Sequence, residues 1–131
     1  MTTENIVTSV TFEAAEDLSS DQYRFVVLDS DGKVERPNAA TDVVIGVLQN
    51  APESGQEARV ALLGTGGISK VVLSATIATI GEIAATEFVS AADAGKAQVA
   101  VATQYPAGIF VSVGDEDDLG SIILTSATVK A

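Results

Sequence analysis

The 131-residue sequence contains no cysteine, no histidine and no tryptophan. Without cysteine the chain forms no disulfides and offers no thiolate to a metal or a substrate. Without histidine it lacks the commonest metal ligand and the usual proton carrier near neutral pH, and a Ser-His-Asp triad cannot be assembled. These absences exclude the most common metal sites and nucleophilic sites.

Aromatic residues are also scarce, since four phenylalanines and two tyrosines are all that the chain contains. Sites that cleave sugars with two carboxylates commonly present aromatic platforms, so such a site is disfavoured, although the sequence does not exclude it. Ser–Lys catalysis needs a lysine buried beside a serine. The lysines instead lie in turns or near element boundaries, at Lys33, Lys70, Lys96 and Lys130. We therefore expect no enzymatic activity, no metal and no cofactor.

Basic residues are few, seven against 18 acidic residues, which gives a formal net charge of −11. Recognition of phosphates and of anionic membranes needs a basic face, so the sequence predicts no nucleic-acid partner and no membrane partner. The start MTTENIVTSV lacks the basic and apolar regions of a secretory signal. The most apolar long window, Ile68–Ala85, is interrupted by Lys70, Gly81 and Glu82, which disfavours a transmembrane span. We expect a soluble protein that is not exported.

What the sequence does contain is short aliphatic runs separated by turn residues. Phe25–Leu28, Val43–Leu48 and Ala58–Leu63 are bounded by Gly, Pro, Asn and Asp, a pattern that predicts strands. Gly46 inside the second run predicts a bulge or a close backbone approach. The apolar residues are mostly alanine and valine, which bury little area each, so we expect a thin core supplemented by an oligomeric interface.

The middle of the chain allows two interpretations. Ile68–Ile83 is β-branched and is predicted to form a strand, a glycine turn and a second strand. A helix over Glu82–Ala92 is the alternative, because its alanine, glutamate and isoleucine residues tolerate a helix. Further strands are predicted at Glu87–Ala91, Gln98–Thr103, Ile109–Val113 and Ser121–Thr125, with Thr125–Ala131 as a possible edge strand.

These features occur twice in the same order. The repeated marks, 63 or 62 positions apart, are Phe25-Val26 and Phe88-Val89, Gly32-Lys33 and Gly95-Lys96, Gly46-Val47 and Gly108-Ile109, and Val60–Leu62 and Ile122–Leu124. A fixed period is typical of a repeated unit that cannot bury its apolar face alone, although chance recurrence in a simple composition is the alternative. We predict a mainly β fold: a small barrel or sandwich of roughly eight to ten short strands from an internal duplication, with at most two short helices. A single β domain would span residues 12–131, with pseudo-repeat units at about 23–63 and 86–125.

Three polar stretches are candidate sites. Asp29, Asp31 and Glu35 lack the remaining ligands of a calcium loop, so a hairpin turn is predicted there. The acidic run Asp115–Asp118 could hold a divalent cation loosely, but a solvated loop is favoured. Gly64–Gly67 is predicted to be a linker, because Lys70 is misplaced for a phosphate-binding loop.

Residues 1–11 are polar and rich in threonine, with Ile6, Val7 and Val10 as their apolar positions. One interpretation is a frayed terminus. The other is an extended arm that becomes ordered on a partner, for example by adding a strand to a sheet edge.

The segments Gly46–Pro52 and Glu57–Gly64, joined by a short acidic loop with Gly55, resemble the small decoration proteins, or capsid cement proteins, of tailed bacteriophages. Phe88-Val89, Asp93–Ala97 and Gly108-Ile109 suit the same family, and the resemblance covers about residues 20–125. It implies a β-rich structural virion protein, commonly a homotrimer, that is made in the bacterial cytoplasm and lies on the outer surface of the expanded head. Its partner would be the major capsid protein, whose neighbouring subunits it would clamp.

An N-terminal arm often reaches across the capsid in that family. The resemblance therefore implies a capsid-binding arm formed by Thr2, Thr3, Glu4, Asn5, Ile6, Val7 and Thr8. Three arms on one trimer bind together, so a modest affinity of each arm becomes a high avidity.

Two other classes of function stay open. The first is a non-catalytic virion or surface module that binds a carbohydrate or a protein receptor, which an exposed Tyr23 or Tyr105 in a shallow site would favour. The second is a carboxylate-based hydrolase, whose sign would be two close acids with raised pKa values in a cleft.

Overall fold

The protein is built from ten short strands in a computed structural model that describes residues 3–6, 8–39, 42–86, 94–100 and 106–125. In chain order the strands are β1 (Ser9–Glu13), β2 (Phe25–Leu28), β3 (Val34–Glu35), β4 (Gly46–Leu48), β5 (Glu57–Leu62), β6 (Ile68–Val72), β7 (Ile83–Thr86), β8 (Ala97–Val99), β9 (Gly108–Phe110) and β10 (Leu119–Leu124). The residues in these ranges form no helix. They therefore contain no apolar helix long enough to cross a membrane. The predicted fold class, mainly β with a small barrel or sandwich, is confirmed.

The strands form two antiparallel sheets with the same strand order. One sheet runs β1-β5-β4-β2-β3 and the other β6-β10-β9-β7-β8, so each strand of the second sheet takes the place of the strand five earlier in the chain. We name β1–β5 the first unit and β6–β10 the second unit. In each unit a parallel bridge connects the two edges of the sheet, between Ala14 and Val34 and between Leu73 and Ala97. Each sheet therefore curls toward a small barrel.

The pairing register places several of the repeated sequence marks at equivalent positions. Val47 lies opposite Ala61 in the first unit, and Ile109 lies opposite Ile123 in the second. The offset of 62 positions seen in the sequence is thus also the offset between the paired strands. Gly32-Lys33 and Gly95-Lys96 directly precede β3 and β8.

One mark was wrongly matched. In the first unit Phe25 pairs with Val47. In the second unit Ile109, the equivalent of Val47, pairs with Ile83. The counterpart of Phe25 is therefore Ile83 and not Phe88. Five residues separate Leu28 from Val34 in the sequence, whereas ten separate Thr86 from Ala97. This wider spacing changes the offset between the two units from 58 positions at Phe25 and Ile83 to 63 positions at Val34 and Ala97. Phe88 itself lies outside the described residues.

Two strands were missed by the sequence patterns, and one alternative was wrong. β1 and β3 were not predicted, and the boundary placed after Thr11 lies inside β1. The helix considered over Glu82–Ala92 is wrong for Ile83–Thr86, which form β7. The strands predicted at Glu87–Ala91 and beyond Thr125 lie outside the described residues.

One glycine in each unit, Gly46 in the first and Gly108 in the second, lets neighbouring strands approach closely. A β-carbon on Gly46 would overlap the Ala61 carbonyl oxygen, and one on Gly108 would lie 2.5 Å from the Ile123 carbonyl oxygen. Because Ala61 and Ile123 are equivalent in the register, the same close contact occurs in both units. The close backbone approach predicted for Gly46 is confirmed.

The two units share one core. Phe25, Val47 and Ala61, on one face of the first sheet, are buried in the same apolar cluster as Phe110 and Ile122 of the second unit. The opposite face of the first sheet lines a smaller core of its own, formed by Ala14, Leu18, Val26, Val34, Leu48, Ala58 and Val60. The second unit therefore covers an apolar face that the first unit cannot bury alone.

Backbone hydrogen bonds fix the units against each other. The Val72 N–H donates to the Tyr23 carbonyl at 2.9 Å, and the Phe25 N–H donates to the Gly95 carbonyl at 2.7 Å. The segment Tyr23–Phe25 of the first unit thus lies between β6 and the turn that precedes β8. This position carries the Phe25 ring into the shared core.

A partly buried ionic network fastens the connection between β1 and β2. Arg36 Nε donates to Asp21 Oδ2 at 2.8 Å, and Arg36 Nη1 donates to Glu16 Oε1 at 2.7 Å. Arg36 Nη2 donates to the Asp17 carbonyl at 2.6 Å. The Asp21 side chain is 4% exposed, so its charge depends on these protein partners rather than on water.

We predict that Gly46→Ala lowers the free energy of unfolding by about 3 kcal/mol, because the added methyl group meets backbone that cannot move without breaking the β4–β5 pairing. Gly66→Ala is the matched control: its φ is +79°, but its β-carbon has open space. It should cost about 1 kcal/mol for the left-handed conformation alone. Urea denaturation measures both, and equal losses would contradict the steric argument.

We also predict that Asp21→Ala lowers the free energy of unfolding by about 3 kcal/mol, because it leaves the Arg36 guanidinium without its buried carboxylate. Asp31→Ala, an exposed acid in the β2–β3 turn, should change stability little. Thermal unfolding of the two variants compares them at the same change in net charge. A similarly small effect for both would show that the network does not stabilise the fold.

Candidate interaction surfaces

The backbone of the N-terminal segment lies on the second unit. The Asn5 N–H donates to the Ile68 carbonyl and the Ile68 N–H donates to the Asn5 carbonyl, both at 2.8 Å, so Asn5 extends the edge of β6. The Thr3 N–H donates to Ser121 Oγ at 2.8 Å, and the Ser121 hydroxyl donates to the Thr3 carbonyl at 2.7 Å. The segment is therefore held by its backbone.

The side chains of this segment divide into two groups. Ile6 is half-buried against the shared core, whereas Thr3, Glu4, Asn5 and Thr8 are exposed. Of the residues predicted for a capsid-binding arm, Thr2 and Val7 lie outside the described residues. The exposed side chains are available to a partner while the backbone remains on the sheet.

The candidate calcium ligands form a turn instead. Asp29 Oδ1 accepts hydrogen bonds from the N–H groups of Asp31 and Lys33, each at 2.9 Å, and Gly32 has a φ of +77°. This local capping is typical of an Asx turn, and it confirms the predicted hairpin turn between β2 and β3. Among the residues that the structure describes, no three Asp or Glu side chains are grouped to hold a metal ion.

The acidic run Asp115–Asp118 is an exposed loop tied to the neighbouring turn. Lys96 Nζ lies 2.7 Å from Asp117 Oδ1, and the Asp115 N–H donates to Asp118 Oδ2 at 3.2 Å. One of its acids is thus paired with a lysine and another closes its own turn. The arrangement agrees with a solvated structural loop.

Among the residues that the structure describes, three charged side chains have shifted pKa values. Burial, followed by the nearby carboxylate of Asp29, raises the pKa of Glu35. Hydrogen bonds from Ser19 lower the pKa of Asp17, and a hydrogen bond to Glu13 raises the pKa of Lys33. Glu35 is therefore an acid with a raised pKa. A carboxylate hydrolase would need such an acid in a cleft, and Glu35 does not line the surface groove of the first unit.

A shallow groove lies on the first unit. Its volume is about 210 Å³, and it is lined by Thr11, Phe12, Glu13, Gly55, Gln56 and Glu57. Small-molecule sites are commonly larger, from about 300 Å³ upward, and mostly apolar. Tyr23 is half-buried, with Lys70 Nζ 5.7 Å from its ring centroid, and Tyr105 lies outside the described residues. Neither the groove nor Tyr23 forms an open aromatic platform.

A row of four isoleucines lies across one face of the second sheet. Ile83 pairs with Ile109, Ile109 with Ile123, and Ile123 with Ile68, so the four side chains lie side by side on one face of β7, β9, β10 and β6. Ile83 and Ile109 are 37% and 38% exposed, and the other two are half-buried. We name this set the isoleucine row. Sequence patterns alone did not identify it, because its members come from four strands whose register only the fold reveals.

Compared with models of known protein families and with curated proteins, the chain matches none. Among solved structures it is similar to the N base of the head fiber protein gp8.5 of bacteriophage phi29, with a TM-score of 0.65 and 16% sequence identity. The match covers 95% of this chain and 98% of that chain. At this identity the likeness establishes a shared fold over nearly the full length of both chains.

Proposed function

We propose that this chain is a structural protein of a bacteriophage virion, which binds the outer surface of the expanded capsid and clamps neighbouring major capsid subunits. The observation that carries the proposal is the fold likeness to the base of a phage head fiber over nearly the whole of both chains. The resemblance of Gly46–Pro52 and Glu57–Gly64 to capsid decoration proteins supports it independently, because it rests on sequence marks.

The mechanism is one of binding linked to assembly. A protein that binds the expanded lattice but not its precursor stabilises the expanded lattice by mass action. As a homotrimer it would engage the capsid through three equivalent surfaces at once, so weak single contacts add to a high avidity. No chemical step is required of any side chain.

The N-terminal segment would supply part of the capsid contact. Its exposed side chains, at Thr3, Glu4, Asn5 and Thr8, are presented by a backbone that is already paired to β6 and to Ser121. Because this backbone is ordered before docking, binding would cost less conformational entropy than ordering a free arm.

We predict that the purified protein co-sediments with expanded heads stripped of their own decoration, saturably and at a fixed ratio to capsid subunits. Unexpanded heads serve as the control and should bind none, because they do not present the same lattice. Failure to bind any cognate expanded head would overturn the capsid role. The alternative would then be a non-catalytic virion or surface module for a carbohydrate or protein receptor.

We predict that replacing residues 1–8 by a single methionine weakens capsid co-sedimentation while leaving the β fold in place. The truncation ends before β1, whose Ser9–Glu13 pairs with β5 along its whole length. Asn5→Pro is the companion variant, because it removes the N–H that donates to the Ile68 carbonyl but keeps every other side chain of the segment. Circular dichroism checks the fold of both variants, and undiminished attachment of the truncated protein would refute the role of the arm.

A further inference from the structure

The first strand, β1, leaves part of one edge without backbone partners. Its other edge pairs with β5, where the Leu62 N–H donates to the Thr8 carbonyl. Because backbone groups of an antiparallel strand alternate between its two edges, the N–H and C=O groups of Ser9 and Thr11 point away from β5. Among the residues that the structure describes, none forms a hydrogen bond with these groups. We name Ser9–Thr11 the open edge.

The equivalent edge of the second unit is covered. β6 takes the place of β1, and the pairing register makes Ile68 the equivalent of Ser9. At Ile68 the edge exchanges two backbone hydrogen bonds with Asn5, which lies antiparallel to it. The second unit thus shows what this edge accepts, which is an extended segment that adds its backbone to the sheet.

The open edge is accessible and unprotected. Ser9, Val10 and Thr11 are all exposed, and further along the edge Ala14 pairs with Val34, which closes it. Free strand edges are templates for pairing with another chain, and proteins usually protect them with charged residues or proline. The open edge contains neither.

We propose that an extended segment of a capsid subunit adds to the open edge as an antiparallel strand. The inference rests on the proposed function, since it names a contact through which the capsid binding proposed there takes place. The two residues of that segment that lie opposite Ser9 and Thr11 would each exchange two backbone hydrogen bonds with β1. In this mode of recognition the main-chain hydrogen bonds supply the affinity.

The chain itself does not provide a suitable occupant. Each copy has one N-terminal segment, and Asn5 already binds it to β6. Pairing β1 with β1 of a second copy would bring two first units together. Residues 1–64, which contain the first unit, include eleven acidic and four basic residues and thus carry a formal charge of −7, so the two copies would repel each other.

Position along the chain favours a capsid subunit as the occupant. The open edge begins directly after Thr8, the last residue of the N-terminal segment whose exposed side chains are proposed to contact the capsid. One partner that lies along this segment and β1 would therefore meet polar side chains first and then unpaired backbone groups. The capsid contact would continue from the segment onto the sheet.

Hydrogen exchange of the full-length wild type tests the open edge in two states. In the free protein the Thr11 N–H should exchange at least about tenfold faster than the Phe12 N–H, which points to β5. On expanded heads stripped of their own decoration the Thr11 N–H should slow at least about tenfold, because it then donates to the added strand. Unexpanded heads are the control and should leave its exchange rate unchanged. Mass spectrometry with fragmentation to single residues measures both states.

Thr11→Pro removes the same N–H and should weaken co-sedimentation with expanded heads at least about tenfold. Proline is tolerated at an edge position whose N–H faces solvent. Ser54→Pro is the matched control, because Ser54 is exposed and precedes Gly55, whose φ is +82°, in a tight turn of the same unit. Proline is favoured at that turn position, so attachment should not change. Circular dichroism checks the fold, and if Thr11→Pro does not fold, the exchange of the wild type decides.

Each other outcome counts against the inference. Slow exchange of the Thr11 N–H in the dilute free protein would show that the chain itself covers the edge. Protection that rises with protein concentration would assign the edge to a second copy. Attachment of the wild type without slower exchange at Thr11, or undiminished attachment of a folded Thr11→Pro, would overturn the added strand while leaving the proposed function standing. Failure of the wild type to bind any cognate expanded head would overturn both.

Discussion

The burial of Phe25, Val47 and Ala61 beneath the second unit is the interaction on which the rest of the structure depends. The chain is rich in alanine and valine and poor in aromatic residues, so a single five-stranded unit has little apolar surface with which to offset the entropy of folding. Packing the outer face of one sheet on the interior of the next gives the two units a common core. The hydrogen bonds of Val72 to Tyr23 and of Phe25 to Gly95 fix this packing at the point of contact.

The close strand approach at Gly46 and Gly108 is the local condition for that core. A side chain at either position would meet a carbonyl of the neighbouring strand, at Ala61 or Ile123. These two carbonyls belong to residues that are equivalent in the register, so the constraint is repeated along with the topology. The absence of a side chain at these two glycines reduces the apolar area of the core, but it also allows the neighbouring strands to pair at this short distance.

The repetition is incomplete in a way that bears on function. The first sheet has a covered outer row, and the second sheet has an exposed isoleucine row at the same place. Acidic and ionic clusters elsewhere, such as Asp29 with its turn and Asp21 with Arg36, are occupied by contacts within the chain. Among the residues that the structure describes, the second sheet presents exposed isoleucines and the N-terminal segment presents exposed polar side chains.

The sequence by itself determined where most strands lie, that Gly46 needs a close approach, and that a 62-residue offset relates the two halves. It could do so because aliphatic runs, turn residues and glycines act over a few neighbouring positions. It did not reveal β1, which pairs with the distant β5, or β3, which is only two residues long. It matched Phe25 with Phe88 because a fixed offset does not allow for the wider spacing between β7 and β8. Tertiary structure alone decided that Phe25 is buried while its counterpart Ile83 is exposed. Strand preference is local, whereas exposure depends on which surface packs against the strand.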